Sequence, residues 1–272
     1  MKRLKGLGEL VFVGLGLHDH SGISLRGLEE TKTADYVFIE LYTSLLPDFS
    51  MKIFAKFSGK KPQVVVRKDL EERNGKIILD KATAGKAVLL VPGDPMIATT
   101  HVALRIEAEK HGIKTRLVHG ASILSAAIGA SGLHNYKFGK SVTIPFPDES
   151  SSETPYEVIA QNKELGLHTL CLLDIEVSGN RYLSIGGALR ELSKTEAKRK
   201  DNVVTVDMLA VGVARAGSTN PIVKAGSVME IMDYDFGKPP HSLIFPGRLH
   251  FMEAEALIVL AGGPETLRRL AQ

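Results

Sequence analysis

Short apolar runs alternate with longer amphipathic segments through the first half of the chain. The apolar runs have the length of strands and occupy residues 10–15, 36–41, 63–66, 88–91 and 115–118. The segments between them place apolar residues three or four positions apart, which is the period of a helix. This alternation predicts an α/β fold with a largely parallel sheet covered by helices. The helices are predicted over 23–34, 51–57 and 71–84 and from about Ala98 onward.

The second half brings strands closer together. Strands are predicted over 141–146, 168–175, 203–213, 222–224 and 242–245, and helices over 122–131, 156–165, 185–198 and 253–261. Because several of these strands follow one another without a clear helix between them, a mixed sheet is expected here. We place the boundary between the last strand of the first half and the helix that Ser122 opens. This gives two α/β domains, 1–120 and 121–272.

The stretch VLLVPGDPMIATTH carries the clearest local signal. A buried strand runs into a Pro-Gly pair, which favours a type II turn because Gly93 can adopt the positive φ that this turn needs. The turn leaves the carboxylate of Asp94 at the carboxyl end of a strand, where ligands bind in open α/β sheets. In the helix that follows, Ala98, Val102 and Ile106 are four apart and are predicted to share one apolar face. The alternative is an ordinary strand–turn–helix corner with a solvated carboxylate.

Glycine turns occur at other predicted strand ends. Gly14 and Gly16 follow the first strand, but Asp19 stands where the dinucleotide fingerprint GxGxxG needs its third glycine. These two glycines either admit a ligand close to the backbone or form a tight turn. The segments ARAGS and GKPPH add further turns at strand ends. Together the turns suggest a small molecule held by main-chain groups, and no GxSxG elbow or Walker P-loop supports a hydrolase or a nucleotide-triphosphate site.

Composition narrows the class of protein. The 272 residues are 44% hydrophobic and 24% charged with a net charge of +3, which fits a globular protein and gives no reason to expect a nucleic-acid binder. No apolar run reaches the ~20 residues of a membrane span, so we expect a cytoplasmic protein without a membrane partner. Cys171 is the one cysteine and is expected to be buried. His18 and His20 lack further ligands at a recognisable spacing, so no metal is expected.

Several segments, taken in order between about residues 10 and 265, resemble one known family. They are GLGLHDHSGISLRGLE, ADYVFIELYTSLL, VPGDPMIATTH, ASILSAAIGASGLHNYKFGKS, GLHTLCLLDI, ARAGSTNP and DFGKPPHSLIFPGRLHFMEAE. The GDP turn by itself marks only the broad tetrapyrrole-methylase class of methyltransferases. The longer form GDPMIATTH, together with YTSLL and PPH, is similar to the diphthine synthases within that class.

The resemblance implies a fold, a cofactor and a substrate. The fold would be tetrapyrrole-methylase-like, with two α/β domains and S-adenosylmethionine bound in the cleft between them. The enzyme would be a homodimer that needs no metal and releases S-adenosylhomocysteine. It would trimethylate the amino group of the 3-amino-3-carboxypropyl-histidine of translation elongation factor 2, giving diphthine in diphthamide biosynthesis. The cofactor contacts implied by position are Leu17, Asp94, Ile97, Ser122, Ile123, Leu173, Ala216 and His241.

Other interpretations stay open at this stage. The chain could methylate a tetrapyrrole precursor or ribosomal RNA, as other members of the class do. From different classes, it could be a nicotinamide-dependent oxidoreductase, which the missing third glycine disfavours, or a nucleotide-binding module without activity. Tyr36, Tyr42 and Phe236 could contact a quaternary ammonium through cation–π interactions, although a role in the core is the favoured interpretation. No general base is identified.

Overall fold

The computed structural model describes residues 8–148, 152–177 and 179–270. The chain divides into two compact units between Ile123 and Leu124. Each unit is built around its own sheet.

The sheet of the first unit is parallel at every pairing, with strand order β3-β2-β4-β1-β5. Its three central strands, β1, β2 and β4, are buried on both faces, which explains why they appear in the sequence as continuous apolar runs. The prediction of a parallel sheet is confirmed. The strands are β1 (Glu9–Gly14), β2 (Tyr36–Glu40), β3 (Gln63–Val65), β4 (Lys86–Val91) and β5 (Lys114–Val118).

Two hydrophobic clusters cover opposite faces of this sheet. Along β1, Leu10 and Phe12 belong to one cluster, whereas Val11 and Val13 belong to the other. This separation follows from the two-residue period of strand side chains. The helices of the unit are α1 (Leu25–Thr33), α2 (Met51–Ser58), α3 (Lys76–Ala84) and α4 (His101–Lys110), with a 3₁₀ turn at His20–Gly22 and a π turn at Lys68–Glu72.

Two helix predictions in this unit need correction. The helix predicted over 71–84 begins only at Lys76, because Asn74 and Gly75 adopt positive φ angles of 50° and 64°. The helix predicted from Ala98 begins at His101, because Ala98 itself has a φ of 53°.

The apolar face predicted for α4 lies on the solvent side of the helix. Leu104 is 5% exposed, whereas Val102 and Ile106 are 54% and 51% exposed. The four-residue spacing that runs through Val102 and Ile106 marks the outer face of the helix. Its inner face runs through His101, Leu104 and Ala108.

The sheet of the second unit is mixed, as predicted. Its strand order is β11-β10-β12-β7-β6, in which β6 and β7 are parallel and the other neighbours are antiparallel. A small hairpin pairs β8 with β9. Cys171 is buried in β7, as expected. The strands are β6 (Val142–Ile144), β7 (Thr169–Leu173), β8 (Ile175–Glu176), β9 (Arg181–Tyr182), β10 (Leu209–Ala214), β11 (Ile222–Ser227) and β12 (His241–Phe245).

The long strand predicted over 203–213 is shorter in the structure. It begins at Leu209, because the Met208 N–H donates to the carbonyl of Thr205 and closes a turn. Conversely, β11 continues to Ser227, where a capping box with Glu230 starts a helix that the sequence analysis missed. The helices are α5 (Ile123–Ser131), α6 (Thr154–Glu164), α7 (Ile185–Arg199), α8 (Val228–Asp233), α9 (Phe251–Ala261) and α10 (Leu267–Leu270), with a 3₁₀ turn at Asn135–Lys137.

Within the described parts of the chain, no helix combines the length and apolar character needed to cross a bilayer.

Candidate functional site

The loops after β1, β4 and β5 meet at the carboxyl edge of the first sheet. The strands β1 and β4 are neighbours, but their connections run in opposite directions across the sheet. From β1 the chain crosses over β4 to β2, whereas from β4 it crosses over β1 to β5. Such a reversal is where α/β sheets form a binding crevice. The two loops are also tied together, because the Gly16 N–H donates to the Gly93 carbonyl at 3.1 Å and the Gly93 N–H donates to the Gly16 carbonyl at 2.8 Å.

Glycines let these three loops pack backbone against backbone. A Cβ on Gly14 would lie 2.6 Å from both the nitrogen of Gly120 and the carbonyl oxygen of Gly93. A Cβ on Gly120 would meet the same Gly93 oxygen and would lie 2.9 Å from the Gly14 carbonyl carbon. Of the two interpretations of Gly14, the tight-turn one is therefore favoured, since protein backbone fills the space beside it. Gly93 has the predicted positive φ, at 69°.

Asp94 is held by its own unit and is only 7% exposed. Its Oδ1 accepts the Met96 N–H at 3.0 Å, which fixes the turn after β4. Its Oδ2 lies 2.7 Å from Nδ1 of His119, a side chain that is 72% exposed. The Asp94 carboxylate is therefore not solvated as in an ordinary turn. Contacts to both of its oxygens fix its orientation.

The other predicted contacts in this unit lie in the same three loops. Leu17 follows Gly16, and its carbonyl accepts the Asp19 N–H at 3.0 Å. Ile97 lies in the loop after β4 and is 38% exposed, so it offers an apolar surface at this edge. Ser122 and Ile123 follow β5, where α5 begins at Ile123. The structure thus brings the five predicted residues of the first unit to one edge of one sheet.

The three predicted contacts in the second unit also share one edge. Ser242 is paired with Leu172 and His241 with Ala214, so the start of β12 lies beside the ends of β7 and β10. Leu173 ends β7, and Ala216 follows β10 by two residues. Ala216 and Leu173 are 8% and 7% exposed. Their shared edge could not be read from their spacing in the sequence, since it depends on the antiparallel register.

His241 has the least satisfied side chain at this second edge. Both of its ring nitrogens are shielded from solvent and have no hydrogen-bond partner among the described residues. Burial lowers the pKa of His241, and the nearby backbone groups of Lys238 and Gly237 oppose this only in part. The preceding loop is fixed by Arg215, whose Nη1 donates to the carbonyls of Phe236 at 2.6 Å and Lys238 at 2.7 Å.

The predicted aromatic side chains belong mainly to the hydrophobic cores. Phe236 is 4% exposed and packs in the core of the second unit. Tyr36 and Tyr42 pack against a core cluster of the first unit, and the cations of Lys81 and Arg67 lie 5.1 and 5.5 Å from their ring centroids. These contacts favour the structural interpretation of the three rings.

Two buried charged clusters were not predicted from the sequence. In the second unit, Glu253 is fully buried and accepts four hydrogen bonds, one of them from His168. In the first unit, Glu40 ends β2 fully buried and lies 3.9 Å from His101. The burial of these glutamates was not predicted, because Glu40 ends an apolar strand and Glu253 lies in an apolar helix. Among the described residues, no group of three or more His, Cys, Asp or Glu side chains is arranged to hold a metal ion.

Comparison with known proteins assigns the chain to a family. The family of tetrapyrrole (corrin/porphyrin) methylases matches residues 9–231. The diphthine synthase of Methanosarcina mazei is 50% identical over 264 residues, which cover 95% of this chain and 98% of that protein. The diphthine synthase of Methanosarcina acetivorans is 48% identical, with 94% and 97% covered.

A solved structure agrees with the sequence relatives. A crystal structure of diphthine synthase superposes with a TM-score of 0.87 at 43% identity, covering 96% of this chain and 99% of that one. The crystal structure of this relative therefore confirms the predicted α/β fold. The chain belongs to the tetrapyrrole methylase family and, within it, to the diphthine synthases.

Proposed function

We propose that this chain transfers methyl groups from S-adenosylmethionine to the amino group of the 3-amino-3-carboxypropyl-histidine of translation elongation factor 2, up to the trimethylated product diphthine. The observation that carries the proposal is the 50% identity to a diphthine synthase over 95% of the chain. At that level of similarity and coverage, the relationship concerns the whole enzyme and not a shared domain. Membership in a methylase family also favours methyl transfer over the oxidoreductase alternative.

The two sheet edges have a chemistry that suits this cofactor. S-adenosylmethionine carries an adenine, a ribose, an amino acid and a sulfonium, so it needs polar main-chain groups, some apolar surface and few charges. The loops at the two edges offer backbone groups, and Ile97 adds an exposed apolar side chain. The ring nitrogens of His241 are buried polar atoms that lack a hydrogen-bond partner among the described residues. A buried polar group of this kind is costly unless a ligand or water satisfies it.

We therefore assign the cofactor contacts to both edges. In the first unit they are Leu17, Asp94, Ile97, Ser122 and Ile123, with Asp94 as the group that favours a positively charged ligand. In the second unit they are Leu173, Ala216 and His241.

The reaction depends mainly on the alignment of the accepting amine with the methyl group. When bound, the cofactor supplies an electrophilic methyl group on a positively charged sulfur. The accepting amine must be neutral to attack, so the reactive fraction of this amine rises with pH. Accurate alignment of two reactants lowers a barrier by roughly 7–11 kcal/mol in favourable cases. Loops tied backbone to backbone, as at Gly16 and Gly93, provide the rigidity that such alignment requires.

Mass spectrometry of elongation factor 2 tests the proposal directly. The factor carrying the unmethylated modified histidine is incubated with this protein and S-adenosylmethionine. We expect mass gains in methyl-sized steps at that histidine, ending at three. Absence of any gain, with cofactor binding intact, would redirect the proposal to a tetrapyrrole or RNA substrate. Both of those are offered in parallel incubations.

Two finer features of the proposal follow from the family. We propose that the active form is a homodimer in the cytoplasm, where elongation factor 2 acts. Light scattering of the purified chain measures its mass in solution, and a monomeric mass at micromolar concentration would remove the dimer from the proposal.

A further inference from the structure

The last residue of β2 holds the loop that follows it. Glu40 is fully buried, and its Oε2 accepts the N–H groups of Tyr42 at 3.0 Å and Thr43 at 3.1 Å. Its Oε1 accepts the Thr43 hydroxyl in a short hydrogen bond. A carboxylate placed in this way fixes the start of the YTSLL segment.

The first residue of α4 holds the neighbouring loop. His101 is 1% exposed, and its Nδ1 lies 3.3 Å from the carbonyl oxygen of Pro95, in the turn that carries Asp94. The Thr99 hydroxyl donates to the same carbonyl at 3.0 Å. The other ring nitrogen, Nε2, is buried without a hydrogen-bond partner among the described residues and faces Oε1 of Glu40 at 3.9 Å.

Oxygen atoms therefore face both nitrogens of this ring. A neutral imidazole carries one N–H and one lone pair. If Nδ1 carries the proton, the Nε2 lone pair faces the Glu40 carboxylate. If Nε2 carries it, the Nδ1 lone pair faces the Pro95 carbonyl, which can only accept. With Glu40 ionised, either tautomer buries a repulsive contact, and one additional proton removes it.

We propose that Glu40 and His101 share one additional proton and act as a buried positioning pair that sets the loop after β2 against the loop after β4. The proton resides on the imidazole or on the carboxyl group, and in both cases a hydrogen is available between Nε2 and Oε1. Burial raises the pKa of Glu40 and lowers the pKa of His101, so the proton is not committed to the histidine alone. A coupled pair of this kind titrates as one unit.

The charges around the pair are few. Glu71, on the π turn, favours a protonated His101, and Arg67 favours an ionised Glu40. The Tyr42 hydroxyl is buried without a partner among the described residues, and burial raises the pKa of that group well above its usual range. Tyr42 therefore stays neutral while the pair titrates.

This inference rests on the proposed function only for its consequence. If the loop after β4 binds S-adenosylmethionine, loss of the shared proton loosens that loop and weakens cofactor binding. The proton itself is a property of the free chain. It can be measured without any ligand.

Nitrogen NMR of the free protein tests the proton first. With ¹⁵N-labelled histidine, and with His101→Asn used for assignment, we expect His101 near neutral pH to show Nδ1 protonated and Nε2 either protonated or hydrogen-bonded. Raising the pH should convert the ring to a free Nε2 lone pair. A free Nε2 lone pair at neutral pH would overturn the proposal and leave the proposed function untouched.

Cofactor affinity tests the consequence. In calorimetry, we expect wild-type affinity for S-adenosylmethionine to fall as the pH rises and the pair loses its proton. Glu40→Gln should keep affinity within about threefold and lose this pH dependence, because an amide N–H supplies a permanent hydrogen toward Nε2. Glu40→Ala should weaken binding about tenfold or more.

A matched control separates the pair from an ordinary buried hydrogen bond. Glu109 accepts the N–H and the hydroxyl of Thr115, as Glu40 does from Thr43, but among the described residues no hydrogen bond or ion pair joins its side chain to a histidine. Glu109→Gln should keep the wild-type pH dependence of affinity. If Glu40→Gln also keeps it, the proposal is wrong. If the wild-type chain binds no S-adenosylmethionine at all, the proposed function fails and the NMR result still decides the pair.

Discussion

Oδ2 of Asp94 and Nδ1 of His119 lie 2.7 Å apart, and they join the loop after β4 to the loop after β5. The aspartate is almost fully buried, whereas the histidine side chain is 72% exposed. The histidine of this contact is therefore at the protein surface, whereas the aspartate lies in a constrained turn. The carboxylate is pre-oriented before any ligand arrives, which is the condition for a positioning role.

Replacing Asp94 should weaken cofactor binding more than replacing its partner. Asp94→Ala removes the acceptor for the Met96 N–H and releases the turn, so we expect a loss of about tenfold or more in affinity for S-adenosylmethionine by calorimetry. His119→Ala removes a partner that is 72% exposed, which water can replace, and leaves the hydrogen bond from Met96 in place, so affinity should fall less than about fivefold. Asp94→Asn keeps the acceptor without the charge. Unchanged affinity in Asp94→Ala would remove the residue from the site.

A side chain at Gly120 should separate the three loops of the first edge. The added Cβ of Gly120→Ala meets the carbonyl oxygen of Gly93 and lies 2.9 Å from the carbonyl carbon of Gly14, and these backbone atoms have little room to move. We expect a loss of about 1–3 kcal/mol in the free energy of unfolding, measured in urea, together with weaker cofactor binding.

Gly129→Ala is the matched control for that substitution. Gly129 lies in α5 with open space around the position of a Cβ. The same exchange there should stabilise the protein by roughly 0.5–1 kcal/mol, because alanine loses less backbone entropy in a helix. Equal effects at the two positions would contradict the close packing of the loops.

Most of the fold could be predicted from the sequence, because its signals are local. The central strands of the parallel sheet are marked by apolar runs that are buried on both faces, and the Pro-Gly pair predicts the turn in which Gly93 has a positive φ. In α4, Val102 and Ile106 have the helical spacing of an apolar face, yet this face lies on the solvent side. Periodicity shows that a face exists but not which way it points.

The site was less predictable because its geometry depends on register and on burial. The meeting of Leu173 and His241 requires the antiparallel pairing of β7 and β12, for which the sequence contains no signal. Glu40 is the last residue of an apolar strand, and a charged residue at a strand end is normally exposed. Only the structure shows that this one is buried.

The charged cluster around Glu253 should make stability depend on acid pH. Burial by itself would raise the pKa of Glu253, but hydrogen bonds from the backbone of His250 and His134 and from the side chains of Lys137 and His168 outweigh it and lower the pKa to about 2. In the unfolded chain the pKa is roughly 4.3. The stabilisation is therefore complete above about pH 4.5 and is lost as the pH falls toward 2, amounting to about 3 kcal/mol.

Urea unfolding between pH 3 and 6 measures this contribution. Glu253→Gln cannot ionise, so its free energy of unfolding should fall less steeply below about pH 4.5 than that of the wild type, by at most about 1.4 kcal/mol per pH unit. Glu30→Gln is the counterpart in the first unit, where hydrogen bonding to Arg116 contributes most to lowering the pKa of Glu30 to about 2. If the free energies of unfolding of the wild type and Glu253→Gln change with pH in parallel, the hydrogen bonds to the ionised Glu253 carboxylate do not stabilise the fold.

Replacing His241 should separate stability from binding. In the free protein its ring nitrogens are buried without partners among the described residues, so His241→Phe removes two unsatisfied polar atoms and keeps a ring 6.1 Å from Phe236. The free energy of unfolding should stay unchanged or rise, since an apolar replacement of unsatisfied groups is neutral or stabilising. Affinity for S-adenosylmethionine should fall about tenfold, because the nitrogens that we assign to the cofactor are gone. His111→Phe, at an exposed histidine of the first unit, should change neither quantity appreciably. Full affinity in His241→Phe would show that the cofactor does not use this ring.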